Sequence, residues 1–380
     1  MEIPLPTLAT GQEPKTTCIR VWVIALIAYS CPSHNPAIPF EFKTPSAENG
    51  QPIQIPLTDE VEVRIRPLAE NELTSFSRIG GATAAQAKAF AQMIQEMWVG
   101  GNSEPAMCFV AEDLGGMVAR MVYRKPGSGK QPSKTRIIHG AGWGLSWSEA
   151  YKTVGAQLLQ GSLAHLKAVG VSQITGKVIS GMPEAEKVRQ ILQQAGLSLE
   201  QEKRAFAWDE PQPAVEVPDR LVFSPLPQVG EEAFIGAIEN ALEGSLDRVD
   251  QIRGASETYR EMAEDHFATD RDYFGFDPAW WQLALDRQGR TVGFVQPAYF
   301  KDSNKGNLKE GTVVYIGVAP EHRGQGYSVD LLLAATKILQ GQGIWRILCD
   351  TDAQNTPMVS AFQRAGYKDH ETVWIYTAAL

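Results

Sequence analysis

The 380-residue chain is short of cysteine, histidine and positive charge, and each shortage removes a class of function. Its four cysteines, Cys18, Cys31, Cys108 and Cys349, contain no C-x-x-C pair and are too sparse for a disulfide framework. The six histidines are scattered without ligand spacing, so no metal is expected. A formal net charge of −9 argues against nucleic-acid binding, which normally needs a basic face. The apolar run at residues 21–29 is far shorter than the ~20 residues that span a bilayer, so no membrane partner is expected. What is present is ordinary for a globular protein: 43% hydrophobic and 21% charged residues. The length suits about two or three domains.

Residues 1–60 are rich in proline and polar side chains and read as a poorly ordered arm. The apolar run within it lacks a good cleavage site, so it reads as an appendage to a cytoplasmic protein rather than a signal segment. Residues 61–209 form one domain. It opens with an alternating strand at 61–67, continues with a helix over 84–98 and a hairpin through Asp113-Leu114-Gly115-Gly116, and has a long helix ending near 169. Residues 210–219 are a linker stiffened by Pro211, Pro213 and Pro218. A second domain fills 220–380. Its pattern predicts helices over 231–243 and 247–266, a hairpin around residues 287–290, and a polar loop over 301–311.

That loop leads into the most informative stretch, residues 313–337, VVYIGVAPEHRGQGYSVDLLLAATK. An apolar β-branched run ends at Pro320, a basic glycine turn follows, and apolar residues then recur at helical spacing. Strand, glycine turn and helix start point free N–H groups and the positive end of a helix dipole at one spot. Gly324 and Gly326 let backbone approach closely, and Arg323 adds a charge suited to phosphate. The turn suits a diphosphate. It is not a dinucleotide loop, because Val329 stands where the third glycine belongs, and it is not a Walker loop, because Gly326 is followed by Tyr327.

The stretch resembles the signature of the GNAT superfamily of acyltransferases. There a strand ending V-x-P is followed by R-x-x-G-x-G/A; here these are Val318-Ala319-Pro320 and Arg323 to Ser328, with Ser328 departing from the last position. The next strand (344–349), Asn355-Thr356-Pro357 with Thr356 as helix N-cap, and Phe362-Gln363-Arg364-Ala365-Gly366-Tyr367 extend the likeness over about the last 165 residues. The resemblance implies an α/β (α+β) domain, a mixed and mostly antiparallel sheet flanked by helices. It implies acetyl-CoA (acyl-CoA) as co-substrate. Its pantetheine arm would lie along Ile316, Gly317 and Val318, its pyrophosphate on Arg323, Gly324, Gln325, Gly326, Tyr327 and Ser328, and Asn355 would stand near the cofactor.

At an offset of about 170 to 171 residues the two halves superimpose, Gly155 on Gly326 and Leu192-Gln193-Gln194-Ala195-Gly196 on Phe362 to Gly366. The chain therefore reads as two tandem GNAT-like domains. Lys152 and Thr153 replace Arg323 and Gly324 in the first copy, which is expected to bind no CoA or to bind it weakly.

In the family the acceptor amine attacks the thioester directly, with a strand N–H near Val318 polarising the carbonyl. The family's usual acid, a tyrosine, is Phe362 here, and the central strand has no carboxylate. Glu310, Tyr315 and the acidic residues of 261–272 are the candidates for base or water holder. Tyr367 is the nearest phenol to the lost acid, at a position where packing is the commoner role. Three functions stay open: an N-acyltransferase for a small-molecule amine, working as monomer or homodimer; a CoA-binding sensor without turnover; and a protein acetyltransferase.

Overall fold

The computed structural model describes residues 63–80, 82–125, 134–137, 144–145, 153–182, 184–209, 214–269, 274–305 and 308–380. The expected N-terminal arm, Lys152 and residues 210–213 of the expected linker lie outside them. In the first half the order is β1 (Arg64–Pro67), α1 (Leu73–Arg78), α2 (Ala84–Val99), β2 (Cys108–Asp113), β3 (Gly116–Arg124), β4 (Lys134–Ile137) and β5 (Gly144–Leu145). Then come α3 (Val154–Ala168), β6 (Gln173–Ile179), α4 (Ala185–Gln194) and β7 (Ser198–Asp209). The second half opens with β8 (Val222–Pro225), α5 (Leu226–Val229), α6 (Glu231–Leu242), α7 (Arg248–Arg253) and α8 (Tyr259–Ala268). It continues with β9 (Phe274–Gly275), β10 (Gln282–Leu285), β11 (Thr291–Lys305), β12 (Leu308–Val318), α9 (Tyr327–Gly341), β13 (Ile344–Asp352), α10 (Thr356–Arg364) and β14 (Lys368–Ala379).

The halves repeat one plan. In each, a strand before a long helix pairs in parallel with the strand after it: β4 with β6 around α3, and β12 with β13 around α9. A helix and a long antiparallel strand follow. Nearly all other pairings are antiparallel, so the expected mixed, mostly antiparallel tandem architecture is the one observed.

The last strands change places. β14 lies between β6 and β7, and β7 lies between β14 and β13. Each half thus ends on a strand that completes the sheet of the other. The cores follow the exchange. Tyr376 of β14 is fully buried in the first half's core, while Phe206 and Trp208 of β7 are buried in the second half's. Phe206 stacks on Phe362 at 4.9 Å between ring centroids.

Two local expectations fail for physical reasons. The helix predicted over 247–266 is broken, because α7 ends at Gly254 and a capping box restarts the chain as α8. There Glu261 N donates to Thr258 Oγ1 at 3.2 Å and Thr258 N donates to Glu261 Oε2 at 2.9 Å. Within the predicted polar loop 301–311, residues 301–305 and 308–311 are instead the paired ends of β11 and β12. Their register, Asn304 opposite Lys309 and Lys305 opposite Leu308, gives the backbone partners that side-chain polarity does not reveal.

Because the sheet is interlocked, a chain ending at Tyr367 should lose the first half's stability as well as the second's. Removing β14 uncovers β6 and empties the site of Tyr376, and losing one such buried aromatic costs about 3–5 kcal/mol. Thermal unfolding monitored in the first half should shift to lower temperature; an unchanged transition would contradict the exchange.

Candidate active site

β12 is an interior strand, yet residues 314–318 are all only half-buried, between the buried Val313 and Ala319. The register explains this. β12 pairs with β13 only at Lys309, Glu310 and Gly311, while its other edge stays on β11 as far as Val318. β13 meanwhile keeps an unbroken ladder with β7 from Arg346 to Asp352. The two parallel strands separate after Gly311 and leave a slot.

Ala319 N donates to Val292 O at 2.9 Å. Strand alternation then turns the N–H groups of Gly317 and Tyr315 toward β11 and those of Ile316 and Val318 into the slot. At the closed end Val313 N lies 3.4 Å from Cys349 Sγ. Burial pushes the Cys349 thiol up to about 12, so it stays protonated at neutral pH and serves as packing.

The glycine turn forms the slot's mouth. Gly324 (φ 77°) and Gly326 (φ 80°) hold a left-handed backbone that favours glycine. At Gly324 an added Cβ would meet nothing of the chain within 4 Å, so the left-handed backbone is the constraint that the fold itself imposes there. Gly326 caps α9 without a side chain, and the N–H groups of Tyr327 and Ser328 have no partner among the described residues.

The side-chain charge is not where the motif suggests. Arg323 donates from Nε to Val318 O (3.1 Å), from Nη1 to Gly244 O (3.2 Å) and from Nη2 to Ala241 O (2.9 Å). It satisfies orphan carbonyls at the C-terminal end of α6, where a cation also suits the dipole. Two other guanidiniums stand at the turn. A Cβ on Gly326 would lie 3.5 Å from Arg220 Nη2 and 3.6 Å from Arg364 Nη2. Arg220 is fixed by Asp330 Oδ2 (2.6 Å) and Gln325 O (3.0 Å), and lies over the Tyr327 ring at 4.8 Å. Arg364 is exposed and makes no ion pair among the described residues. Sequence reading missed both, because they come from the start of the second half and from α10.

On the face of β12 that meets α6–α8, Tyr315 gathers a polar group. Its hydroxyl donates to Asp250 Oδ2 at 3.0 Å, and its ring stacks on His266 with centroids 4.0 Å apart and planes 6° from parallel. His266 Nε2 is 3.4 Å from Asp250 Oδ1, and Ser245 Oγ donates to Asp250 Oδ2 at 2.8 Å. Burial and the charges of Asp250 and Asp247 push the Tyr315 phenol well above its ordinary value, so it is a donor and not the base it was a candidate to be. Burial alone would raise Asp250, but the donors around it outweigh this and hold its carboxyl below the usual range. Asp247 is raised by burial against the pull of Lys203, while its carboxylate caps α7 through Val249 N at 2.8 Å. Lys203 of β7 pairs with Asp350 at 2.9 Å, and Gln201 of β7 donates to Asp352 at 3.1 Å. Gln296 stands opposite Tyr315 in register, fully buried, with neither carboxamide atom partnered.

The other candidates are elsewhere. Glu310 sits within the paired stretch, one rung before its end at Gly311 and 3.9 Å from Arg346 Nη1, about five strand steps or ~17 Å from Tyr315. Tyr367 is 3% exposed, its hydroxyl 2.7 Å from Thr336 Oγ1 in the core, which removes it as an acid. Asn355, not Thr356, is the N-cap of α10, its Oδ1 accepting from Met358 N at 3.3 Å. Asp250 lay outside the acidic window considered in the sequence, and its pairing with His266 spans the break at Gly254 that periodicity did not reveal.

Arg323→Ala should lower Tm, by about 1 kcal/mol of stability, through the loss of the α6 carbonyl contacts. Arg364→Ala should leave Tm unchanged. Equal losses would show that Arg323 is not a structural clamp.

Comparison with known proteins agrees with this geometry. The model of the acetyltransferase (GNAT) family matches residues 246–367, which include the slot, its mouth and His266. A mycothiol acetyltransferase of Arthrobacter sp. (strain FB24) is 32% identical over 169 residues, covering 43% of this chain and 47% of that protein. One from Pseudarthrobacter chlorophenolicus is 33% identical over 165 residues, covering 41% and 45%. The chain thus spans about half the length of the curated relatives it matches. The crystal structure of a GCN5-related N-acetyltransferase from Sphaerobacter thermophilus has a TM-score of 0.53 over 83% of this chain and 95% of its own, at 15% identity, which shows a shared fold. The family match lies on the slot itself, so residues 246–367 form a domain of the acetyltransferase (GNAT) family.

Proposed function

We propose that this protein is an acyl-CoA-dependent N-acyltransferase, with acetyl-CoA as donor and a small-molecule amine as acceptor. The observation that carries the reading is the slot between β12 and β13. It has two inward N–H groups along one wall, a left-handed glycine mouth, and two guanidiniums beside that mouth. These residues fit a ligand with a diphosphate at one end and an extended, hydrogen-bonding arm. When bound, acyl-CoA supplies a thioester carbonyl open to attack by an amine. The N–H groups of Tyr327 and Ser328, with Arg220 and Arg364, would hold the phosphates. Ile316 and Val318 would hold the arm and polarise the carbonyl. An amine arrives as a cation, and on this side the carboxylates of Asp247, Asp250, Asp350 and Asp352 outnumber the Lys203 ammonium.

In this reading residues 220–380 carry the chemistry, residues 61–209 close the acceptor side, residues 210–219 link the two, and the enzyme works in the cytoplasm as a monomer or homodimer. The first half is proposed to bind no CoA. The N-cap of its helix α3 is Thr153 with φ −97°, where a left-handed glycine caps α9 in the second half. Relatives named mycothiol acetyltransferase favour a small acceptor over a protein. Among the described residues no helix is long and apolar enough to cross a membrane.

The test is release of CoA thiol from acetyl-CoA with a panel of small amines set against peptides. Transfer to a small amine is expected, reduced at least about tenfold, or 1.4 kcal/mol, in a Gly326→Val, Arg364→Glu variant. Transfer to peptides alone would make the protein a protein acetyltransferase. Binding without turnover would make it a sensor, the reading that the buried Phe362 at the usual acid position favours.

A further inference from the structure

The base for this reaction is not at any position the motif supplies, and the α7–α8 face offers one. We infer that His266, oriented by Asp250, takes the proton from the acceptor amine; this rests on the acyl transfer proposed above. His266 Nε2 is buried without a well-formed hydrogen bond among the described residues, and the carboxylate oxygen Asp250 Oδ1 lies 3.4 Å from it, which favours the tautomer with hydrogen on Nε2 and leaves the lone pair on Nδ1. The ring lies flat on Tyr315, a residue of the slot wall, and its side chain remains 22% exposed, enough to be reached. Asp250 is held on its other oxygen by Ser245 and Tyr315, so it orients the imidazole and does not itself accept the proton. It is a positioning residue.

The rivals on the same face are committed. Tyr315 stays protonated, Asp247 caps α7, and Arg253 is neutralised by Glu257 and Asp265. Glu310 lies past the closed end of the slot. The groups facing His266 are therefore Asp250, with Asp247 and Arg253 behind it on α7, Asp265 beside it on α8, and Tyr315 beneath it on β12. Gln296, opposite Tyr315 and without a partner for either carboxamide atom, is a second polar group on this face whose hydrogen bonds a substrate would complete.

The step balances as follows. The ammonium of the acceptor gives one proton to His266 Nδ1, and the freed nitrogen lone pair attacks the thioester carbon. The C–N bond forms and the C–S bond breaks. A second nitrogen proton goes to the leaving sulfur as CoA thiol, the third stays on the amide, and His266 returns its proton to solvent.

The test uses the full chain and two readouts. His266→Gln should lower kcat roughly 10²-fold or more and alter the pH profile of kcat, while acetyl-CoA binding is kept as the check on folding. Nitrogen NMR of the substrate-free protein should show hydrogen on His266 Nε2, and Asp250→Asn should redistribute the tautomers. His266→Gln with wild-type kcat and pH profile would overturn the inference while leaving the acyltransferase reading intact. Hydrogen on Nδ1 in the wild type would overturn it as well. Failure of the wild type to transfer to any amine would end the broader reading, and this one with it.

Discussion

The arrangement depends on one pairing, that of β13 with β7. A strand leaving its neighbour in mid-sheet exposes backbone donors and acceptors, each costly when unpaired and away from water. β13 leaves β12 after Gly311, yet from Arg346 to Asp352 it has a partner on its other edge. That partner comes from the first half of the chain. The slot is thus open on one side because the exchanged strand satisfies the other, and β11 holds β12 as far as Val318.

The exchange also explains how the first half contributes to the site. Phe206 and Trp208 of β7 pack into the second core, while Gln201 and Lys203 of the same strand reach Asp352 and Asp350. One strand therefore supplies packing, backbone pairing and charge compensation at the end of β13. The two halves repeat a plan, but among the described residues the left-handed glycines that open the helix are found at Gly324 and Gly326, while Thr153 before α3 has φ −97°. The first contributes its last strand.

Much of the fold was legible because its signals are local. The β-branched run ending at Pro320, the two glycines and the helical spacing after them fix a strand, a turn and a helix within 25 residues, 313–337. The repeat was legible from Gly155 and Gly196 against Gly326 and Gly366. Strand exchange was not, because β7 and β14 alternate in the same way whichever sheet they join. The site divides likewise. The wall at Ile316 and Val318 and the turn at Gly326 follow from spacing, but the target of Arg323 depends on where α6 ends. The neighbours of Gly326 and of Tyr315 come from Arg220, Arg364, Asp250 and His266, residues that tertiary contact alone brings to these points.

The central claim is that the gap between β12 and β13 is a single acyl-CoA site, with no counterpart in the first half. Isothermal titration of acetyl-CoA into the full chain tests it most directly. The account predicts one molecule bound per chain, with heat abolished in the Gly326→Val, Arg364→Glu variant. Two molecules per chain, or binding that survives in that variant, would contradict it.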